Sequence, residues 1–232
     1  MNRIILSLFF AGIFTIASAQ EKAPNRKPDE GDGPHAQLII RGVTLINGNG
    51  APPIGPVDIV VEGNRITQVQ TVGYPGVDIN PNRRPKLQPG GKEYDCTGMY
   101  LLPGFVDMHG HIGGRGQGAD AEYVFKLWMG HGITTIRDPS AGNGLDWVLD
   151  QKKRGEKNEI VAPRILAYTV FGQGAENGIN TPEQAREWVR QNAKRGADGI
   201  KFFGARPDIM AAAIMLKWMW LDGMYSNQHA RA

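Results

Sequence analysis

His109-Gly110-His111 places two imidazoles two residues apart. Side chains alternate faces along a strand, so residues separated by one position point the same way. The triplet follows Phe105 to Met108, which reads as a strand of the buried type. Two imidazoles on one face at the carboxyl end of a strand can ligate one metal ion. Imidazole and carboxylate ligands suit zinc and other divalent transition metals, and parallel α/β folds build their catalytic sites at that end. The triplet alone fits equally well two polar loop residues that satisfy backbone groups. Asp107 shares the face of His109 and is either the partner that orients an imidazole or a hydrogen-bonded core aspartate. Arg137 and Asp138 close another strand at the same mouth. They either touch substrate or pair with each other, and the mutual ion pair is the preferred reading. By residue type alone, Lys201 is a lysine snorkelling from a strand end and His229 a loop histidine. His35 reads as solvated, and His131, at a helix-to-strand turn, as structural.

These residues need elements to hold them. The chain has 232 residues, 41% of them apolar or aromatic and 21% charged, as expected of a globular protein. A net charge of +3 with acids and bases intermixed, and no Lys/Arg block, argues against nucleic acid as a partner. One cysteine, Cys96, excludes an internal disulfide. Arg3, the apolar run Ile4 to Ile16 and the small residues Ala17-Ser18-Ala19 before Gln20 make a secretory signal pattern, too short for a good membrane span. The expectation is export to the periplasm or medium, with no membrane association after cleavage.

From Gln37 short strands are predicted: Leu38 to Ile46, Val57 to Glu62 and Arg65 to Val69, the last two joined by the hairpin signal Gly63-Asn64. Asn80 to Gly91 reads as a loop and Glu93 to Cys96 as a further short strand. After Pro103-Gly104 strands and helices alternate. The strands are Phe105 to Met108, Ile133 to Arg137, Arg164 to Phe171, Gly199 to Phe203 and the beginning of one at Tyr225 to His229. Helices are predicted over Asp120 to Met129, Leu145 to Lys153, from Thr181 to Gly196, and over Asp208 to Leu221. Thr181, Pro182 and Gln184 form a capping signature, and Ala185, Trp188, Val189 and Asn192 share one face. Alternation of this kind implies a parallel sheet with helices packed on it. The pattern fits an open doubly wound sheet or the first five strands of an eight-stranded barrel, and periodicity does not choose between them.

The run Leu101-Leu102-Pro103-Gly104-Phe105-Val106-Asp107-Met108-His109-Gly110-His111 resembles the defining motif of the amidohydrolase superfamily. Val43 to Gly48 and Ile59 to Ile66 resemble that family's opening strands, and Gly132 to Asp138 its second barrel strand. The resemblance implies an α/β fold: an incomplete TIM-like (β/α)8 barrel, about its first five strands, preceded by a small β-sandwich-like domain. The boundaries that follow are a signal peptide over 1–19, a flexible linker over 20–36, the small β domain over 37–103 and the barrel portion over 104–232. The resemblance also implies metal ligation by His109, His111, Lys201 and His229. Lys201 would be carboxylated, so that the carbamate bridges two divalent ions, zinc or another transition metal. The Gly113–Gly118 stretch lacks the P-loop Lys-Ser/Thr and is expected to be a mobile loop over the metal site.

The implied reaction is hydrolysis of a carbon–nitrogen bond in a non-peptide amide, a cyclic amide or a dipeptide through a metal-activated water. The subtype resembled most is imidazolonepropionase-like or Xaa-Pro dipeptidase-like. Two parts of that family's site have no counterpart here: a sixth-strand histidine and the general-base aspartate of the eighth strand. The expectation is therefore an N-terminal fragment, inactive alone, of an enzyme whose full-length form is compatible with a homo-oligomer. The competing reading is a secreted, non-catalytic binding or interaction module derived from such an enzyme.

Overall fold

The computed structural model describes residues 21–112 and 119–216. The expected signal peptide, the Gly113–Gly118 loop, the end of the helix expected over Asp208 to Leu221 and the strand ending at His229 lie outside these residues.

The first sheet is built from β1 (Gln37–Leu45), β2 (Ile54–Glu62), β3 (Arg65–Thr71), β4 (Lys92–Asp95) and β5 (Tyr100–Leu101). Its order is β3-β2-β1-β4, with β5 also on β1. β1, β2 and β3 run antiparallel, joined between β2 and β3 by the Gly63-Asn64 turn, whereas β4 and β5 lie parallel to β1. Val43, Val57 and Ile59 form its apolar centre. Its polar centre is Asp58, which is fully buried (0% exposed). Asp58 accepts hydrogen bonds from the Gly42 backbone N–H at 2.8 Å, from Arg41 at 3.0 Å and from Arg84 at 2.9 and 3.0 Å. Arg84 comes from the predicted Asn80–Gly91 loop, which contains a single 3-10 turn at Pro81–Arg83. The buried carboxylate thus ties that loop and two strands together. Burial alone would raise its pKa, but the Arg84, Gly42 and Arg41 bonds outweigh it and hold it below the ordinary carboxylate range.

The second sheet contains β6 (Phe105–Asp107), β7 (Ile133–Asp138), β8 (Arg164–Val170) and β9 (Gly199–Lys201), all parallel and in that order. Between them run α1 (Ala121–Gly130), α2 (Leu145–Glu156) and α3 (Pro182–Arg195), and residues 207–216 are helical. The α3 start is as predicted: Thr181 Oγ1 accepts from the Gln184 N–H, and the Gln184 side chain accepts from the Thr181 N–H. Gly196 ends the helix in the left-handed conformation. Phe125, Val148, Ile136, Ile165 and Ala167 are buried together, so α1 and α2 cover one face of the sheet. A second cluster sets Trp188 and Val189 of α3 against Ile209, Ala212 and Ala213.

Two sequence expectations change. Phe105 to Met108 was expected to be buried, but the strand ends at Asp107 and Phe105 is 60% exposed. A parallel strand is buried on both sides only when both sheet faces are covered, and among the described residues helices cover one. The stretch expected to be a flexible linker is packed. Ala23 is 3% exposed, and its N–H donates to Gln151 Oε1 at 3.0 Å. The Arg26 N–H donates to the Glu159 carbonyl at 2.7 Å, and Glu30 pairs with Lys126 of α1. Asp32 bonds Tyr94 of β4 and lies 3.1 Å from His35 Nε2. Residues 21–36 therefore form a strap from α1 and α2 to the first sheet. His35, expected to be solvated, belongs to it. Composition misled because a charged segment orders once each charge finds a fixed partner.

Asp58→Asn should lower unfolding stability at pH 7 by about 3 kcal/mol, since it leaves two arginines without their buried anion. The folded pKa of Asp58 is depressed, so its contribution is complete above the ordinary carboxylate range and is lost as pH falls through the lowered value. Denaturant titrations should show the variant's deficit shrinking on acidification. An equal deficit at pH 7 and pH 3 contradicts this account.

Candidate metal centre

The two histidines sit on a turn that leaves the carboxyl end of β6. Four contacts fix it. Asp107 Oδ1 accepts from the His109 backbone N–H at 2.9 Å. The Gly110 N–H donates to the Arg137 carbonyl of β7 at 3.1 Å. His111 Nδ1 lies 3.2 Å from Ser140 Oγ and 3.7 Å from Asp138 Oδ1. The first of these last two distances is a hydrogen bond and the second an ion-pair distance. Glycine is required between the histidines, because a Cβ there would stand 2.9 Å from the Trp128 ring and 3.2 Å from Asp107 Oδ2. The two imidazoles face each other edge-on, with centroids 5.2 Å apart.

The residue that orients an imidazole is thus not Asp107, which serves the turn backbone. It is Asp138, supported by Ser140. Asp138 is 1% exposed and also accepts from the Ser140 N–H at 3.2 Å. Burial pushes its carboxyl pKa up, against the backbone hydrogen bonds and the nearby His111. The carboxylate at Asp138 favours the proton on His111 Nδ1, with the Ser140 hydroxyl as its acceptor in that tautomer, which leaves the lone pair on Nε2. Asp138-Pro139-Ser140, a turn signature straight after a β-branched strand, was the sequence signal for this partner.

The expected Arg137–Asp138 ion pair is absent among the described residues. Adjacent strand residues face opposite ways, and Ile136 is buried under α1 and α2. Asp138 shares that covered side, whereas Arg137 points to the other and lies over the Tyr168 ring at 5.2 Å. Tyr168 in turn covers Gly199, where a Cβ would meet the ring at 2.1 Å. Lys201 shares the face of Gly199 and is the last residue of β9, as expected of it. Its Nζ stands 5.4 Å from the Phe203 ring centroid. His131 is structural as expected, with Nδ1 2.8 Å from the Leu127 carbonyl at the end of α1. His229 lies outside the described residues.

The donor chemistry suits a divalent transition metal at His109 and His111, since one imidazole is already oriented with a nitrogen to spare. Two donors do not complete a site, and no group of three or more His, Cys, Asp or Glu side chains arranged to hold a metal occurs among the described residues.

No family model matches the chain. It is 37% identical over 93 residues to an adenine deaminase of Methanoculleus marisnigri, covering 37% of this chain and 18% of that enzyme. It is 27% identical over 163 residues to an N-acyl-D-aspartate deacylase of Alcaligenes xylosoxydans xylosoxydans, covering 70% of this chain and 26% of the relative. To an N-acetylglucosamine-6-phosphate deacetylase of Lysinibacillus sphaericus it is 24% identical over 197 residues, covering 82% and 43%. Among solved structures it is similar to molinate hydrolase (TM-score 0.57, 20% identity, 78% of this chain and 51% of that one). It is also similar to a Xaa-Pro dipeptidase with bound methionine (TM-score 0.53, 22% identity, 79% and 54%). These likenesses support membership of the amidohydrolase superfamily. The chain spans less than half the length of these curated superfamily relatives and about half that of the solved chains. The superfamily likeness accounts for a mixed α/β chain whose parallel sheet is half a barrel.

Gly110→Ala should displace the turn, because its Cβ meets an aromatic ring on one side and a carboxylate on the other. Overpacking of this kind costs about 1–3 kcal/mol. A lowered thermal midpoint with altered Trp128 fluorescence is expected, and an unchanged melt and spectrum would contradict it.

Proposed function

We propose that this chain contributes the opening strands of an exported, metal-dependent hydrolase that breaks carbon–nitrogen bonds in small amides, cyclic amides or dipeptides. The observation that carries the reading is the His109-Gly110-His111 turn, held at the carboxyl end of a parallel strand with His111 Nδ1 already engaged. The relatives lend support, since a deaminase, a deacylase, a deacetylase and a dipeptidase all act at such bonds.

In this proposal His109 and His111 hold one divalent ion, zinc or a similar metal. Lys201, as its carbamate, and His229 would be further ligands in a two-ion site. Placement of Lys201 at the end of β9, on the same sheet face as Arg137 and Tyr168, agrees with that role. Bound there, the metal would supply a water ionised near neutral pH and polarise the scissile carbonyl. The chain's own residues set the geometry. Asp107 and the Arg137 carbonyl keep the turn closed, and Ser140 and Asp138 hold the His111 ring with its lone pair on Nε2. The eight-stranded closure of the sheet, the Ala19–Gln20 cleavage and a homo-oligomeric full-length form belong to the same proposal.

The test is elemental analysis of the full-length protein purified without chelator. His109→Ala and His111→Ala should each lose bound transition metal. Asp138→Asn should keep the ligands but weaken metal affinity about 10–100-fold. Metal content unaffected by either histidine substitution refutes the assignment.

A further inference from the structure

Arg137 is a cation at the mouth of the sheet that, like Lys201, lacks an anion among the described residues. It lies one position before the buried carboxylate of Asp138, yet the strand turns the two side chains to opposite faces. Asp138 is committed to His111 and Ser140. The Arg137 guanidinium lies over the Tyr168 ring, and its Nε is buried with no hydrogen-bond partner among the described residues. A guanidinium has donors in a planar fork, and stacking on an aromatic face leaves the edge of that fork free to bind in plane. Burying one of those donors unpaired costs free energy that the stacking only partly offsets. Gly199 keeps the arrangement in place, because a side chain there would displace the Tyr168 ring.

The location limits what the fork can meet. The Arg137 carbonyl holds the Gly110 N–H between the two histidines, and the guanidinium shares its sheet face with Lys201, a metal ligand in the proposed site. A ligand reaching both must carry its anion within a few bonds of the reacting carbonyl. A planar carboxylate matches the fork in two parallel hydrogen bonds.

We propose that Arg137, shelved on Tyr168, is a specificity-determining residue that receives a substrate carboxylate, so that the preferred substrates are N-acylated amino acids or dipeptides with a free carboxyl group. The proposal rests on the hydrolase reading above for its position in the site, but its test is binding.

N-acetyl-L-leucine and N-acetyl-L-leucinamide, which differ only in the anion, are titrated calorimetrically into the zinc-loaded full-length protein. The acid should bind about 10–100-fold more tightly than the amide, the span of charge-assisted hydrogen bonds. In Arg137→Met the acid-to-amide ratio should fall close to one. Arg137→Lys, which retains charge without the fork, should give an intermediate ratio. If Arg137→Met does not fold, Arg137→Gln is read in the same way. Equal affinity of the wild type for acid and amide, absence of binding by both, or a preference that survives loss of the guanidinium each overturns the proposal. A carboxylate preference that depends on Arg137, found without metal-dependent hydrolysis of any amide tried, would sink the hydrolase reading and leave the subsite standing.

Discussion

The site depends on the pairing of β6 with β7. β6 is only three residues long and is exposed on its open face, so little within it could hold a catalytic turn still. Everything that fixes the two histidines comes from β7 and the turn after it, apart from the aspartate of β6 itself. The Arg137 carbonyl, the Asp138 carboxylate and the Ser140 hydroxyl each take one point of the histidine turn. β7 can do this because Ile136 anchors it in the core beneath α1 and α2. Precision at the site is thus borrowed from a neighbouring strand through backbone register, and the histidine strand needs no core of its own.

Strand alternation then sorts the charges. Arg137 and Asp138 are neighbours in sequence and carry opposite charges, so a mutual pair is the natural reading of the sequence. The pleat forbids it and produces two distinct environments one residue apart. On the covered side, a carboxylate in a poorly solvated place steadies an imidazole. On the other side, a guanidinium rests on an aromatic ring. A single dipeptide therefore serves both the histidine turn and the opposite sheet face, which no count of charges would suggest.

Much of this was legible in the sequence, and the rest was hidden for identifiable reasons. The α3 start was readable because a capping box is a local device, complete within four residues. The strand–helix alternation and the Gly63-Asn64 hairpin were readable because they depend on period and turn chemistry. For the partner of His111 the sequence showed a turn, Asp138-Pro139-Ser140, but not which side chain that turn meets, because this is set by pairing between strands separated by a helix. Asp107 misled because face-sharing on an ideal strand ignores the turn that begins at the next residue. The packing of residues 21–36 was hidden because their partners are Gln151, Glu159, Lys126 and Tyr94, none of them near in sequence.

That strap has a kinetic side. Its most buried residue, Ala23, donates to a side chain 128 residues further along the chain. Loop-closure entropy makes contacts of such separation late and slow to form. The strap is synthesised before either sheet, yet its docking surface on α1 and α2 exists only after much of the parallel sheet has been made. Until then its neutral and charged groups stay hydrated, and the first sheet is joined to the second through the chain between Leu101 and Phe105. The final consolidation of the molecule is therefore governed by the arrival of its earliest residues, and the two sheets have time to form independently before the strap ties them together.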